Sequence, residues 1–200
     1  MPATRRAFKP SSDGILEAAE VAFARHGYSD ISLRQLIAAS KVSTTAFYAR
    51  FESKEAVLAA LTARLFRDLH ADAPGVLNQA RDLETGIDHG VELLCERFAP
   101  RKALVRLILA EAGSSVAAVQ ARRDAYGVLA AFLAARFTLL ADKKRISVLD
   151  PTALAWALIG ALEIHVVRWA VWDQIDLDEL RAQLRLAARA ILPRMEKRHG

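Results

Sequence analysis

The stretch Ile31–Lys54, ISLRQLIAASKVSTTAFYARFESK, constrains this chain more than any other. It carries three helix starts in quick succession. Ser32 is an N-cap with Gln35 three residues on, a capping box over Leu33–Ser40. A turn at Ser40–Val42 leads to Ser43, which caps a second helix running to about Phe51, and Ser53 caps a third beginning at Lys54 and Glu55. Two short helices joined by a tight turn form a helix-turn-helix, here spanning 33–52, whose second helix enters the DNA major groove. Leu33, Leu36 and Ile37 share one helical face, and Phe47 and Phe51 another, so each helix has an inner side.

The outer side of the second helix offers Thr44, Thr45, Ala46 and Tyr48, with Arg50 and Lys54 just beyond. Thr and Ala are short enough to meet base edges or a thymine methyl, whereas Tyr, Arg and Lys suit phosphates. Upstream, the basic arm Thr4–Lys9 holds Arg5 and Arg6, placed to track phosphates or a minor groove. Ser11, Ser12 and Asp13 then offer N-caps for a helix through His26, with Ile15, Ala18, Ala19, Ala22 and Phe23 inward. Gly27 ends it, and Tyr28 folds back onto it.

The pattern V-S-x-x-x-[FL]-Y-x-x-F-x-S-K-E-x-L, met by Val42–Leu58, together with Ile15–Ser40, resembles the TetR family of transcriptional regulators. The resemblance implies an all-α chain: a three-helix DNA-binding head, a linking helix, and a helical body that binds a ligand and dimerises. Carried over by position, Ser32, Arg34, Ser43, Thr44, Thr45, Tyr48, Arg50 and Lys54 fall where the family contacts DNA. The family usually has Gly where this chain has Lys41, and often where it has Thr45. A left-handed Lys41 costs about 1 kcal/mol relative to Gly.

Lys54 to about Ala71 reads as a helix broken by Pro74–Gly75, which places the head at 10–70 and the body at 76–195. No Gly/Ser-rich linker separates them. The body reads as helices throughout. Ile87, Val91, Leu94 and Phe98 form a stripe ended by Pro100, and Leu104, Leu107, Ile108 and Glu111 form the next, ended by Gly113. A long helix follows over about 115–140, and Ala141–Val148 is a polar connection. Asp150–Pro151 starts a helix to about Trp172 that is apolar nearly all round, and Asp176 with Glu179 starts the last. That last helix lines Leu177, Leu180, Leu184, Ala187, Ala188 and Ile191 along one face, with Arg181, Arg185 and Arg189 elsewhere. These two helices look like the family's four-helix dimer interface.

The hydrophobic fraction of 53% exceeds what a 200-residue core requires and points to apolar surface buried around a ligand or a partner. A mostly apolar pocket is expected near Phe98, Ile108, Tyr126 and Phe132, with Trp156 and His165 reaching it from the helix that also carries Glu163 and Arg168. The apolar run Ala153–Val171 is interrupted by those three polar groups, which argues for a buried helix over a membrane span. With no apolar segment among the first residues, a cytoplasmic protein follows. The net charge of +5 fits a nucleic-acid partner.

Other functions find less support. The five histidines show no paired metal-ligand spacing, one cysteine cannot build a zinc site, and no phosphate loop or nucleophile elbow is present. Asp124, Glu111, Glu163 and His165 are the residues an enzyme would need to gather, and no cofactor is implied. The rival to a regulator is a helical adaptor or small-molecule-binding protein that ignores DNA. The expected partners are an operator duplex, a small-molecule effector and a second copy of the chain.

Overall fold

The computed structural model describes residues 12–110, 115–143 and 148–192, and all regular structure among them is helical. Arg5, Arg6 and Lys9 of the basic arm, the capping candidate Ser11, and Glu111 and Gly113 lie outside the described residues.

Helix α1 (Ser12–His26) buries Ile15, Ala19, Ala22 and Phe23 on one side. Gly27 closes it at φ 80°, a conformation that a side chain would strain. Tyr28 then turns back, its ring edge-on to Phe23 at 5.4 Å. Helices α2 (Leu33–Ala39) and α3 (Thr44–Tyr48) follow, and α3 is shorter than its pattern suggests. The backbone tightens after Tyr48, where the Arg50 and Phe51 N–H groups both donate to the Phe47 carbonyl. Phe47 and Leu36 have no exposed surface and seat both helices in the apolar core.

Helix α4 (Lys54–Asn78) corrects the expected break at Pro74: the helix runs through it for 25 residues, about 37 Å. Proline inside a helix removes one hydrogen bond and costs about 3 kcal/mol. Burial outweighs that cost here, because Leu69 and Ala73 before the proline are buried and Val76 after it packs against the core. Leu58 and Leu61 of α4 face the head, while Leu65, Phe66 and Leu69 continue the same core into the body. One rigid element therefore belongs to both halves.

Helix α5 (Leu83–Phe98) leads through a 3-10 turn at Ala99–Arg101 into α6 (Lys102–Ala110). Helix α7 (Val116–Asp142) starts at the Ser115 cap. Helix α8 (Pro151–Ala170) starts where expected, with Asp150 accepting from the Thr152 and Ala153 N–H groups. Helix α9 (Leu177–Ile191) is capped by Asp176, which accepts from Glu179 N–H at 2.8 Å. By length and composition α7 and α8 are apolar enough to cross a membrane. In the fold they lie side by side, α7 against α4 and α8 against α9.

The apolar stripe of α9 is consumed within the subunit: Leu180 and Leu184 are fully buried. Its arginines meet the acids of α5 rung by rung. Arg181 reaches Glu92 at 3.3 Å, Arg185 reaches Asp88 at 3.0 Å and also Glu92, and Arg189 reaches Glu84 at 2.6 Å.

Candidate nucleic-acid interface and body cavity

Local chemistry sets the head's outer surface. Ser32 Oγ accepts from Gln35 N–H at 3.3 Å while Gln35 Oε1 accepts from Ser32 N–H at 2.9 Å, the two halves of the capping box. Ser43 Oγ accepts from Ala46 N–H at 3.2 Å. Both hydroxyls, expected at the DNA contact, are thus engaged in holding the helix starts. Lys41, between α2 and α3, has φ 52° and is exposed, so a lysine occupies the left-handed turn position.

With Phe47 buried, α3 turns Thr44, Thr45 and Tyr48 outward, and Tyr48 leaves 51% of its surface exposed. Arg34 on α2 and Arg50 after α3 are exposed, and Ala46 is half-buried. Two short hydroxyl residues, an aromatic hydroxyl and two cations are thus exposed on α2, on α3 and just beyond it.

Lys54 departs from expectation. Its ammonium points inward, donating to the Tyr28 carbonyl at 2.7 Å and the Ile31 carbonyl at 3.1 Å, and it lies 4.4 Å from the centre of the Tyr28 ring. A lysine at the first turn of α4 is the group nearest those loop carbonyls, which have no helix of their own to satisfy them. It fixes the α1–α2 loop instead of presenting free charge.

The head is also tied to the body. Glu20 on the outer side of α1 accepts from Arg64 of α4 at 2.8 Å and from Arg101, beyond α5, at 2.7 and 2.8 Å. Burial pushes the Glu20 carboxyl up, but hydrogen bonds and charge from Arg101 and then Arg64 outweigh it and hold the group below its ordinary range.

Residues 15–61 match the model of the bacterial regulatory proteins of the tetR family. The head belongs to that family. No curated protein sequence gives a significant match to the chain. Among solved structures, a protein from Syntrophomonas wolfei assigned to the TetR-family transcriptional regulators superposes with TM-score 0.81 at 22% identity, over 90% of this chain and 93% of that one. One from Mesorhizobium loti, assigned likewise, gives 0.73 at 23% over 94% and 96%. The fatty acid degradation regulator FadR of Bacillus halodurans gives 0.78 at 21% over 96% and 98%. The whole chain therefore has the fold of TetR-family transcriptional regulators, with the TetR-type head at its N-terminus.

Inside the body of this TetR-type fold, α4 to α9 enclose a cavity of about 200 Å³. Phe98, Ile108, Tyr126 and Phe132 all stand in its wall. Trp156 and His165 do not. Trp156 is 45% exposed on the far side of α8, and His165 Nδ1 faces Gln183 Oε1 at 3.0 Å, towards α9. Both were expected at the pocket, but an all-apolar helix gives no periodicity by which to choose its cavity face. Arg168 likewise turns to Gln183.

The polar groups in the wall are few. Tyr126 packs edge-on to Phe66 at 5.4 Å and lies beside Glu163 of α8. Burial, and then the Glu163 carboxylate, push the Tyr126 phenol well above its ordinary range, so it stays protonated. Glu163 was not among the expected pocket residues; it shares the cavity face of α8 with Ile159, Leu162 and Val166. Asp124, Glu163 and His165 do not come together: Asp124 accepts from Gln120 on the surface. Among the described residues no group of three His, Cys, Asp or Glu side chains is placed to hold a metal ion.

Proposed function

We propose that this protein is a ligand-responsive, DNA-binding transcriptional regulator acting in the cytoplasm as a repressor. A head of residues 10–70 reads DNA, a body of residues 76–195 binds the effector and a second subunit, and α4 is shared between them. The observation that carries this reading is the TetR-type head match, within which Arg34, Thr44, Thr45, Tyr48 and Arg50 are all exposed. The threonines and Ala46 read base edges, whereas Arg34, Tyr48 and Arg50 grip phosphates. Arg5 and Arg6 extend the contact along the backbone. Ser32, Ser43 and Lys54 act one step back, by fixing the helix starts and loop that present these groups.

The dimer face is the outer side of α8 and α9. Trp156, Gly160 and Ile164 follow at helical spacing, Trp156 and Ile164 are each 45% exposed, and Leu186 of α9 is 65% exposed. An added Cβ at Gly160 would meet open space, so a partner helix can approach closely there. A two-fold dimer places two reading helices on half-sites about one helical turn apart.

Effector binding in the apolar cavity moves α4, which lines both the cavity and the head core. Shifting one shared helix changes the spacing of the two heads and lowers affinity for the operator, and by linkage the operator lowers affinity for the effector. Footprinting of the purified protein on genomic DNA tests the reading. Protection of palindromic promoter sites is expected, and uniform cleavage at saturating protein would leave the non-DNA-binding alternative.

A further inference from the structure

The apolar cavity shares part of its wall with a second, polar basin. Ala80, Arg136 and Leu140 stand in both walls, and the basin, of about 440 Å³, is completed by Asn78, Arg81, Leu139 and Lys143. Arg136 marks the junction. Its guanidinium donates to the Leu77 carbonyl at 2.8 Å and to Asn78 Oδ1 at 3.0 Å, both neutral acceptors, and it forms no ion pair among the described residues. Lys143, exposed at the end of α7, likewise forms no ion pair among the described residues.

Asp82, itself in the cavity wall, caps α5 by accepting from Thr85 N–H at 2.8 Å and keeps its charge, and Glu84 accepts from Arg189 at 2.6 Å. Against Asp82 stand three basin cations, Arg81, Arg136 and Lys143. The remaining carboxylate of the cavity, Glu163, sits with Tyr126 at the other end. Tyr126 and Arg136 are ten residues apart on α7, which sets the two ends about 15 Å apart. Charge is thus graded along the site, cationic at the basin and anionic at the far wall, with leucine, isoleucine and phenylalanine between.

We propose that the site takes a single-chain amphiphile, its hydrocarbon tail in the apolar cavity and an anionic head in the basin against Arg136 and Lys143. The Glu163 carboxylate opposes the reverse orientation. This rests on the reading that the body holds an effector, and it names that effector's chemical class.

Calorimetric titration of the full chain with dodecyl phosphate, dodecanoyl coenzyme A and dodecanol, below their aggregation limits, tests it. Both phosphate-bearing probes should bind at least tenfold tighter than dodecanol, and the gap should shrink as salt is raised. From octyl to decyl to dodecyl phosphate, affinity should rise by up to about fourfold per methylene. Lys143→Gln and Arg136→Gln should each narrow the preference for the charged head. Arg136 also holds the end of α4, so circular dichroism checks that variant, and the exposed Lys143→Gln decides if Arg136→Gln loses helix. A coenzyme A thioester stronger than dodecyl phosphate identifies a nucleotide-bearing head, and equal affinity identifies the anionic group alone; both support the site. Equal binding of dodecanol and dodecyl phosphate, or a preference unchanged in both variants, overturns it. Operator release is measured separately. Amphiphiles that bind with head preference but leave DNA bound would count against the regulatory reading alone, whereas release by dodecanol without head preference would count against this site alone.

Discussion

Arg101 and Glu20 meet through two parallel hydrogen bonds, 2.7 Å from Nε and 2.8 Å from Nη2, and so join the body to the first helix of the head. Arg64 of α4 completes the cluster on the same carboxylate, and all three side chains are at most 20% exposed. A carboxylate shared by two guanidiniums on separate elements resists relative motion of those elements in a way that apolar packing alone does not. The cluster is placed to transmit movement of the body to the reading edge.

Glu20→Gln should therefore destabilise the protein by about 1–3 kcal/mol, since it leaves the largely buried Arg64 without its anion and Arg101 with only Asp68, at 3.7 Å. The Glu20 carboxyl is held lower in the folded protein than in the unfolded chain. Its contribution is complete above the ordinary carboxylate range and is lost as pH falls through the lower, folded value. Urea unfolding followed from neutral to acid pH should show a larger acid-dependent loss in the parent than in Glu20→Gln. Identical pH profiles would remove the cluster from the account.

Lys41→Gly should stabilise the head by up to about 1 kcal/mol, because φ 52° is strained for lysine and free for glycine. The shift in the urea midpoint measures it. A lower midpoint would show that the lysine side chain contributes more than its backbone strain costs.

Much of this was readable from local chemistry. Ser32 with Gln35, Ser43, Ser53, Asp150–Pro151 and Asp176 each announce a helix start within a few residues, and each is found capping one. What depends on distant packing was not readable. Pro74 signals a break, yet burial of Leu69 and Ala73 carries α4 past it. Lys54 looks like a surface cation, but the carbonyls of Tyr28 and Ile31 lie more than twenty positions earlier in the chain. Trp156 and His165 sit on a helix whose apolar periphery hides which side faces the cavity. The α5–α9 ladder was available in principle: acids at 84, 88 and 92 and arginines at 181, 185 and 189 repeat at the same helical spacing.

Cys95 should be nearly inert to thiol reagents in the folded protein. Burial pushes its thiol up to about 11 from an ordinary 9.0, with Arg181 and Glu92 adding smaller opposed effects. The thiolate fraction at neutral pH is thereby reduced about a hundredfold. Reaction with a chromogenic disulfide at pH 7 should be slow in buffer and rapid in denaturant, and equally fast reaction in both would contradict the burial.

Base reading and phosphate binding should separate on α3. Arg50→Ala and Tyr48→Ala should weaken binding to all duplexes alike, and each lost phosphate contact of Arg50 should lower the salt slope by about 1. Thr44→Ala or Thr45→Ala should instead change the penalty for one altered base pair by about 1–3 kcal/mol. Anisotropy titrations against a panel of singly substituted duplexes distinguish these outcomes. A uniform loss from the threonine variants would make them positioning residues and not readers.

The central claim is that the TetR-type head reads a two-fold DNA site as a dimer, and selection from a pool of random duplexes tests it most directly. The purified chain should enrich a palindrome whose half-sites lie about one helical turn apart, with complexes sedimenting as protein dimers on each duplex. Selection of an asymmetric single half-site by monomers, or enrichment of no motif at all, would contradict it.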